Sequence, residues 1–249
     1  MKRRIKLLLS YDGTNYAGWQ IQTGQPHVKT IQGQLERALT VITKGKLIRV
    51  YGAGRTDSGV HARGQVCHFD FPGLIPIDRF PTAINSILPR DIRCHLAEEV
   101  DEDFHAQHSA KYKTYSYSIN QSYIADVFLR NYYHHEPYPL RLKAMKEAGR
   151  LLVGRMDFKG FSATGSSQED FIRTVTELTI EQTGDKVLIK VTGDGFLYNM
   201  VRIMAGTLIA IGRGKMMTEA IEKILQTKDR AYAGPTAAAK GLCLERIIY

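Results

Sequence analysis

Ile5, Leu7, Leu9 and Tyr11 recur at every second position, which predicts a strand with one buried face. The chain then turns at Asp12-Gly13. Thr30 stands where it can cap a helix whose apolar residues Ile31, Leu35, Ala38, Leu39 and Ile42 fall on one face before Gly45 stops it. A strand is expected around Val50, then a glycine-rich loop, then a third strand in which Cys67, Phe69 and Phe71 alternate. Asp78 can cap a short helix carrying Phe80, Ala83, Ile84, Ile87 and Leu88, ended by Pro89. The acidic run Glu98 to Asp103 reads as a solvated connection between two halves rather than a metal site.

From about residue 109 a similar order begins again. Tyr115, Tyr117 and Ile119 share one face of a strand, and a helix follows from about Leu140 to Val153, closed by Gly154. Ile172, Thr174, Thr176, Leu178 and Ile180 are expected on one face of the next strand, and Val187, Ile189 and Val191 on one face of another. A long helix from about Leu197 to Ile211, a shorter one from Thr218 and a closing strand from Leu242 to Tyr249 complete the chain. Helices interleaved with mostly antiparallel strands predict an α+β fold. The expected plan is two split β-α-β halves, ferredoxin-like or RRM-like, covering residues 1–108 and 109–249, with sheets joined edge to edge, helices flanking them and an active cleft between. The similarity of the halves lies in element order only.

Composition narrows the classes. The longest apolar stretch, Met200 to Ile211, falls short of the roughly 20 residues a bilayer core requires, so no membrane span is expected. The basic N-terminus runs into the alternating strand instead of an apolar signal region, and secretion is not expected. Cys67, Cys94 and Cys243 lie far apart with no Cys-x-x-Cys pair, which argues against a disulfide framework or structural zinc and fits a cytoplasmic protein. The eight histidines show no Glu-flanked metal spacing; His134-His135 reads as a solvated loop pair, and His61 as a residue packed behind the glycine-rich loop. A formal net charge of +9, divided over both halves, favours a polyanionic partner.

Three segments carry candidate chemistry. In Gly52-Ala53-Gly54-Arg55-Thr56-Asp57-Ser58-Gly59-Val60-His61-Ala62, glycines that allow close backbone approach frame one Arg and one Asp. The segment lacks the Lys of a phosphate loop and the third glycine of a dinucleotide fingerprint; the competing reading is a tight turn with a surface ion pair. The helix containing Phe196 to Gly206 is apolar nearly all round, so Arg202 within it needs a carboxylate or a wet cleft. Asp57 is the expected partner, against the alternative that Arg202 reaches bulk solvent. Lys111-Tyr112-Lys113-Thr114-Tyr115-Ser116-Tyr117 interleaves cations with rings, a pattern suited to stacking on unpaired bases and equally at home in a sheet core.

Together with Tyr11-Asp12-Gly13-Thr14-Asn15-Tyr16-Ala17-Gly18-Trp19-Gln20 and the closing Gly241-Leu242-Cys243-Leu244, these segments resemble, in order and over nearly the whole chain, the tRNA pseudouridine synthase A family. The resemblance implies a homodimer that acts on uridines 38, 39 and 40 of the tRNA anticodon stem-loop. It implies that Asp57 is the nucleophile, that Tyr115 contacts the target base, that Arg202 pairs with the aspartate and that Arg55 helps extrude the base. Ser58 stands where the family usually has alanine, Gln107 where it commonly has arginine, and the segment from Gly160 to Asp170 looks shorter than in many relatives.

The implied reaction breaks the C1′–N1 bond of uridine, turns the base and joins its C5 to C1′. No net redox change occurs, so no cofactor or metal is expected. A carboxylate kept ionised near C1′ suits oxocarbenium-like charge, and a base stacked in a stem must first flip out. Two rival readings stand beside this one. A noncatalytic RNA-binding module accounts for the tyrosines and the positive charge, and a glycoside hydrolase would use similar charge but needs two facing carboxylates where one convincing candidate is found.

Overall fold

The computed structural model describes residues 3–25, 27–163, 165 and 169–249. The segment from Gly160 to Asp170 therefore lies partly outside the described residues. The chain divides into two compact units, Met1–Lys111 with Leu244–Tyr249, and Tyr112–Cys243. It is an α+β protein whose strands pair mostly antiparallel.

The first unit opens with β1 (Arg3–Tyr11), where Ile5, Leu7, Leu9 and Tyr11 are buried as period two requires. Helix α1 (Ile31–Ile42) begins where Thr30 Oγ1 accepts the Gly33 N–H at 3.2 Å. A two-residue strand, β2 (Tyr51–Gly52), precedes the glycine-rich loop and β3 (His61–Phe71). β3 lies antiparallel to β1, so Phe69 and Cys67 stand opposite Ile5 and Leu7. The phenylalanines close the core against α2 (Phe80–Asn85): Phe71 meets Phe80 edge-on at 5.1 Å. Asp78 is not the cap expected of it. It lies inside a single 3₁₀ turn, Ile77–Arg79, that leads into α2, and α2 ends at Asn85, short of Pro89.

A strand absent from the sequence reading, β4 (Ile92–Val100), pairs with the other side of β1. Its register shifts between Leu8 and Leu9, leaving His95 as a bulge, so the buried positions move from Ile92 and Cys94 to Ala97 and no period-two signal survives. The acidic run thus begins on a strand, where Lys6 meets Glu98 at 2.7 Å and Arg3 pairs with Glu99.

In the second unit, β5 (Tyr112–Asn120), β9 (Lys186–Gly193), β8 (Ile172–Thr183) and β7 (Gly154–Asp157) neighbour one another in that order, all antiparallel. A two-residue β6 (His134–His135) runs parallel to β5, so the histidine pair is part of a sheet edge and half-buried instead of a solvated loop. β7, like β4, is not evident from the sequence. On β8 a register shift between Val175 and Glu177 sends Val175 inward and exposes Thr176, so the five residues expected on one face are split. Val187, Ile189 and Val191 of β9 are all buried. Helix α3 (Leu142–Arg150) packs on β8 and on α4 (Met200–Gly212), of which every residue but Arg202 is buried. Helix α5 (Ala220–Thr227) follows.

The last strand, β10 (Leu242–Ile248), begins in the second unit, and Leu244–Tyr249 returns to the first, whereas the sequence reading assigned all of it to the second half. There it lies beside β3; the Lys111 N–H donates to Ile248 O at 2.8 Å and Tyr249 Oη to Ala106 O at 2.8 Å. Among the described residues no helix is long and apolar enough to cross a membrane.

Candidate active site

Asp57 and Arg55 stand on the loop between β2 and β3. Arg55 is exposed and Asp57 half-exposed, while Thr56 between them is buried. The loop backbone is tied on several sides. Trp19 N–H donates to Thr56 O at 3.0 Å, Gly59 N–H to Tyr16 O at 3.2 Å and Val60 N–H to Asp57 O at 3.1 Å, closing a turn around the aspartate. Ser58 Oγ adds a bond to Tyr16 O at 3.2 Å, one that an alanine there could not make. Gly18, with φ of 88°, brings the chain so near the loop that a Cβ on it would lie 2.4 Å from Thr56 O.

The supporting segment is itself fixed. Tyr16 Oη donates to Asp91 Oδ1 at 2.6 Å, and burial followed by that bond pushes the phenol pKa well up, so it stays protonated. Asp12 Oδ1 accepts from Thr14 N–H at 3.0 Å. His61 is buried behind the loop, its Nδ1 accepting the Gly13 N–H at 3.1 Å, which fits the packing role expected for it.

Three residues that the sequence reading did not single out for a role hold the loop from inside. Tyr11 Oη and Thr56 Oγ1 lie 2.8 Å apart, and the fully buried Gln65 donates from Nε2 to Gly54 O at 2.9 Å and to Tyr11 Oη at 3.4 Å. The signal for Gln65 was present: it extends the core-facing row Phe71, Phe69, Cys67 as the one amide among apolar side chains.

Tyr115 and Arg202 belong to the second unit. Tyr115, 7% exposed on β5, packs edge-on against Phe196 with centroids 5.3 Å apart, and Tyr117 beyond it is a core residue whose hydroxyl donates to Ala238 O at 3.0 Å. Lys113 on the same strand is half-buried, and burial followed by Arg173 lowers its pKa. Arg202 lies in the first turn of α4. Its Nη1 donates to Asn199 Oδ1 at 2.7 Å and its Nε to Ala237 O at 2.8 Å, and the Ala237 N–H returns a bond to Arg202 O at 3.1 Å. Asn199 takes φ of 60° just before the helix, a left-handed position that Asn tolerates better than most residues. Gln107, exposed, donates its backbone N–H to His105 Nδ1 at 3.2 Å in the first unit.

Among the described residues no group of three or more His, Cys, Asp and Glu is placed to hold a metal. The family model described as tRNA pseudouridine synthase matches residues 8–109 and 148–249, and the chain belongs to that family. Its relatives include proteins called tRNA pseudouridine synthase A: one of Anoxybacillus flavithermus is 47% identical over 99% of both chains. Another, of Halalkalibacterium halodurans, is 49% identical over 96% of this chain and 90% of its own, and one of Bacillus licheniformis is 49% identical over 99% of each. The activity is therefore isomerisation of uridine to pseudouridine in tRNA.

Proposed function

We propose that the chain isomerises uridines 38, 39 and 40 of the tRNA anticodon stem-loop, with Asp57 as the essential carboxylate. The observation that carries this reading is the tethering of the Asp57 loop. Its backbone bonds to Trp19 and Tyr16, and its own turn to Val60, hold a half-exposed carboxylate in one geometry in a chain that belongs to an isomerase family. A surface turn has no need of so many ties.

In this reading the target base flips out of its stem at a cost of a few kcal/mol, offset by contacts to phosphates. Arg55, exposed beside Asp57, helps extrude the base, and Tyr115 contacts it after extrusion. Arg202 pairs with Asp57, favouring the ionised carboxylate next to charge developing at C1′. The reaction is a redox-neutral rearrangement of one nucleotide and requires no cofactor. The enzyme works in the cytoplasm as a homodimer; Tyr123, Ile124, Val127 and Phe128, from 61% to 89% exposed on one segment of the second unit, form an apolar surface that a second copy would bury.

The test is Asp57→Ala, with release of tritium from uracil C5 as the readout on tRNA labelled there. Release is expected to vanish while tRNA affinity stays within several-fold, because the carboxylate acts in the chemical step and repels phosphate if anything. Substantial residual release removes Asp57 from its role.

A further inference from the structure

Gln65 is fully buried on β3 at the start of the core-facing row that continues through Cys67, Phe69 and Phe71. A primary amide in such a place must be hydrogen-bonded to be tolerated. Its orientation is set by Val66, whose N–H donates to Gln65 Oε1 at 3.2 Å, so the NH₂ group points at the loop. From there it donates to Gly54 O at 2.9 Å and to Tyr11 Oη at 3.4 Å. The phenol oxygen that accepts from the amide also lies 2.8 Å from Thr56 Oγ1, and the two hydroxyls share a hydrogen bond in which either can donate. The two branches end on Gly54 and Thr56, on either side of Arg55, and Thr56 is the residue next to Asp57. Side chains 55 and 57 face outward while their backbone is held from the core.

We propose that Gln65 is a positioning residue: through the Gly54 carbonyl and the Tyr11-to-Thr56 relay it fixes the Arg55-Asp57 segment in its reactive geometry. The proposal rests on the reading of Asp57 as the reactive carboxylate. The amide touches no substrate, so its loss acts on the chemical step and spares binding.

The experiment compares Gln65→Met and Gln65→Glu with the parent enzyme, measuring kcat and KM on tRNA from pH 6 to 8 and hydrogen exchange across residues 53–59. Gln65→Met keeps the length and removes both donors. Its kcat is expected to fall roughly 10- to 100-fold, as small misplacements of reacting groups do, with KM within about threefold. Gln65→Glu regains one donor only when protonated, so its kcat relative to the parent should climb as pH falls, while the ratio for Gln65→Met stays flat. Parent-like kcat in Gln65→Met, or a flat ratio in Gln65→Glu, overturns the proposal. If Gln65→Met does not fold, Tyr11→Phe keeps the ring and cuts the relay: a fall in kcat at constant KM supports the inference, and parent-like kcat refutes it. Exchange reads the tie without reference to chemistry. Faster exchange in Gln65→Met beside a fully active Asp57→Ala leaves the tie standing and discards the role of Asp57, whereas unchanged exchange removes the tie itself.

Discussion

Both units position a candidate functional residue by laying an irregular segment over a glycine, but they fix different things. In the first, Gly18 lies under the Thr56 carbonyl, and what is held is the loop that carries Asp57. In the second, Gly206 in the middle of α4 lies under Pro235, where a Cβ would come within 1.8 Å of the carbonyl oxygen. Segment 234–237 there grips the helix through Gly234 N–H to Thr207 Oγ1 at 2.9 Å and ends on the carbonyl that accepts from Arg202 Nε. The carboxylate thus sits on a loop held through its backbone, and the guanidinium on a buried helix where its own side chain is held as well. A guanidinium presents its donors in a fixed planar fork, so seating two of them on the oxygens of Ala237 and Asn199 sets where the charge points.

Two alanine substitutions break this comparison at its strongest points. Gly206→Ala is expected to have the largest effect. Twelve of the thirteen residues of α4 are buried and the obstacle is backbone, so overpacking should cost on the order of 3 kcal/mol or more and show as lost soluble yield or a large drop in melting temperature. Gly18→Ala meets a backbone oxygen at 2.4 Å and a positive φ, but in a loop where strain can spread. The fold should survive with a loss of about 1–3 kcal/mol, while turnover falls on the order of 100-fold because Thr56, and Asp57 with it, is displaced. A Gly18→Ala enzyme with parent-like turnover would mean that the loop's placement is set elsewhere.

The same contrast governs how much the sequence disclosed. Elements whose alternation or helical spacing is uninterrupted, such as β1, α1, β9 and α4, are readable because one periodic face meets one core. β4 and the inward face of β8 are hidden from the sequence for one physical reason: the bulges at His95 and Thr176 switch the inward face midway, which erases a period-two signal. The candidate residues were legible as motifs, since a lone Asp among glycines and an Arg on an apolar helix are both out of place by composition. The supports were not. Gln65, Tyr11 and Thr56 meet only because β1 pairs with β3, with a register shift between Leu9 and Tyr11, and no local pattern encodes a pairing between distant segments.

The smallest expected effect is a response to acid. His68 of the first unit is buried on β3, its Nδ1 accepting the Ala106 N–H at 3.1 Å. Burial first, then His105 with its ring 4.7 Å away and the Arg4 charge, lower its pKa to about 4, against a weaker upward pull from Asp70. The folded state therefore keeps this imidazole neutral where the unfolded chain, with its ordinary value near 6.5, takes a proton. Its contribution is complete above about pH 6.5 and is lost as pH falls from there through about 4, by no more than about 1.4 kcal/mol per pH unit. Trp19, the single tryptophan, is buried in the first unit and reports unfolding there. Urea midpoints followed by its fluorescence should drop between pH 7.5 and pH 5, and the drop should shrink in His68→Asn, whose Oδ1 can accept the same N–H without titrating. The His134 pKa, in the second unit, is also lowered, mainly by burial, so its acid sensitivity runs in the same direction and survives in His68→Asn, where the drop should shrink without vanishing. An undiminished drop at Trp19 in that variant would assign the acid response to groups other than His68.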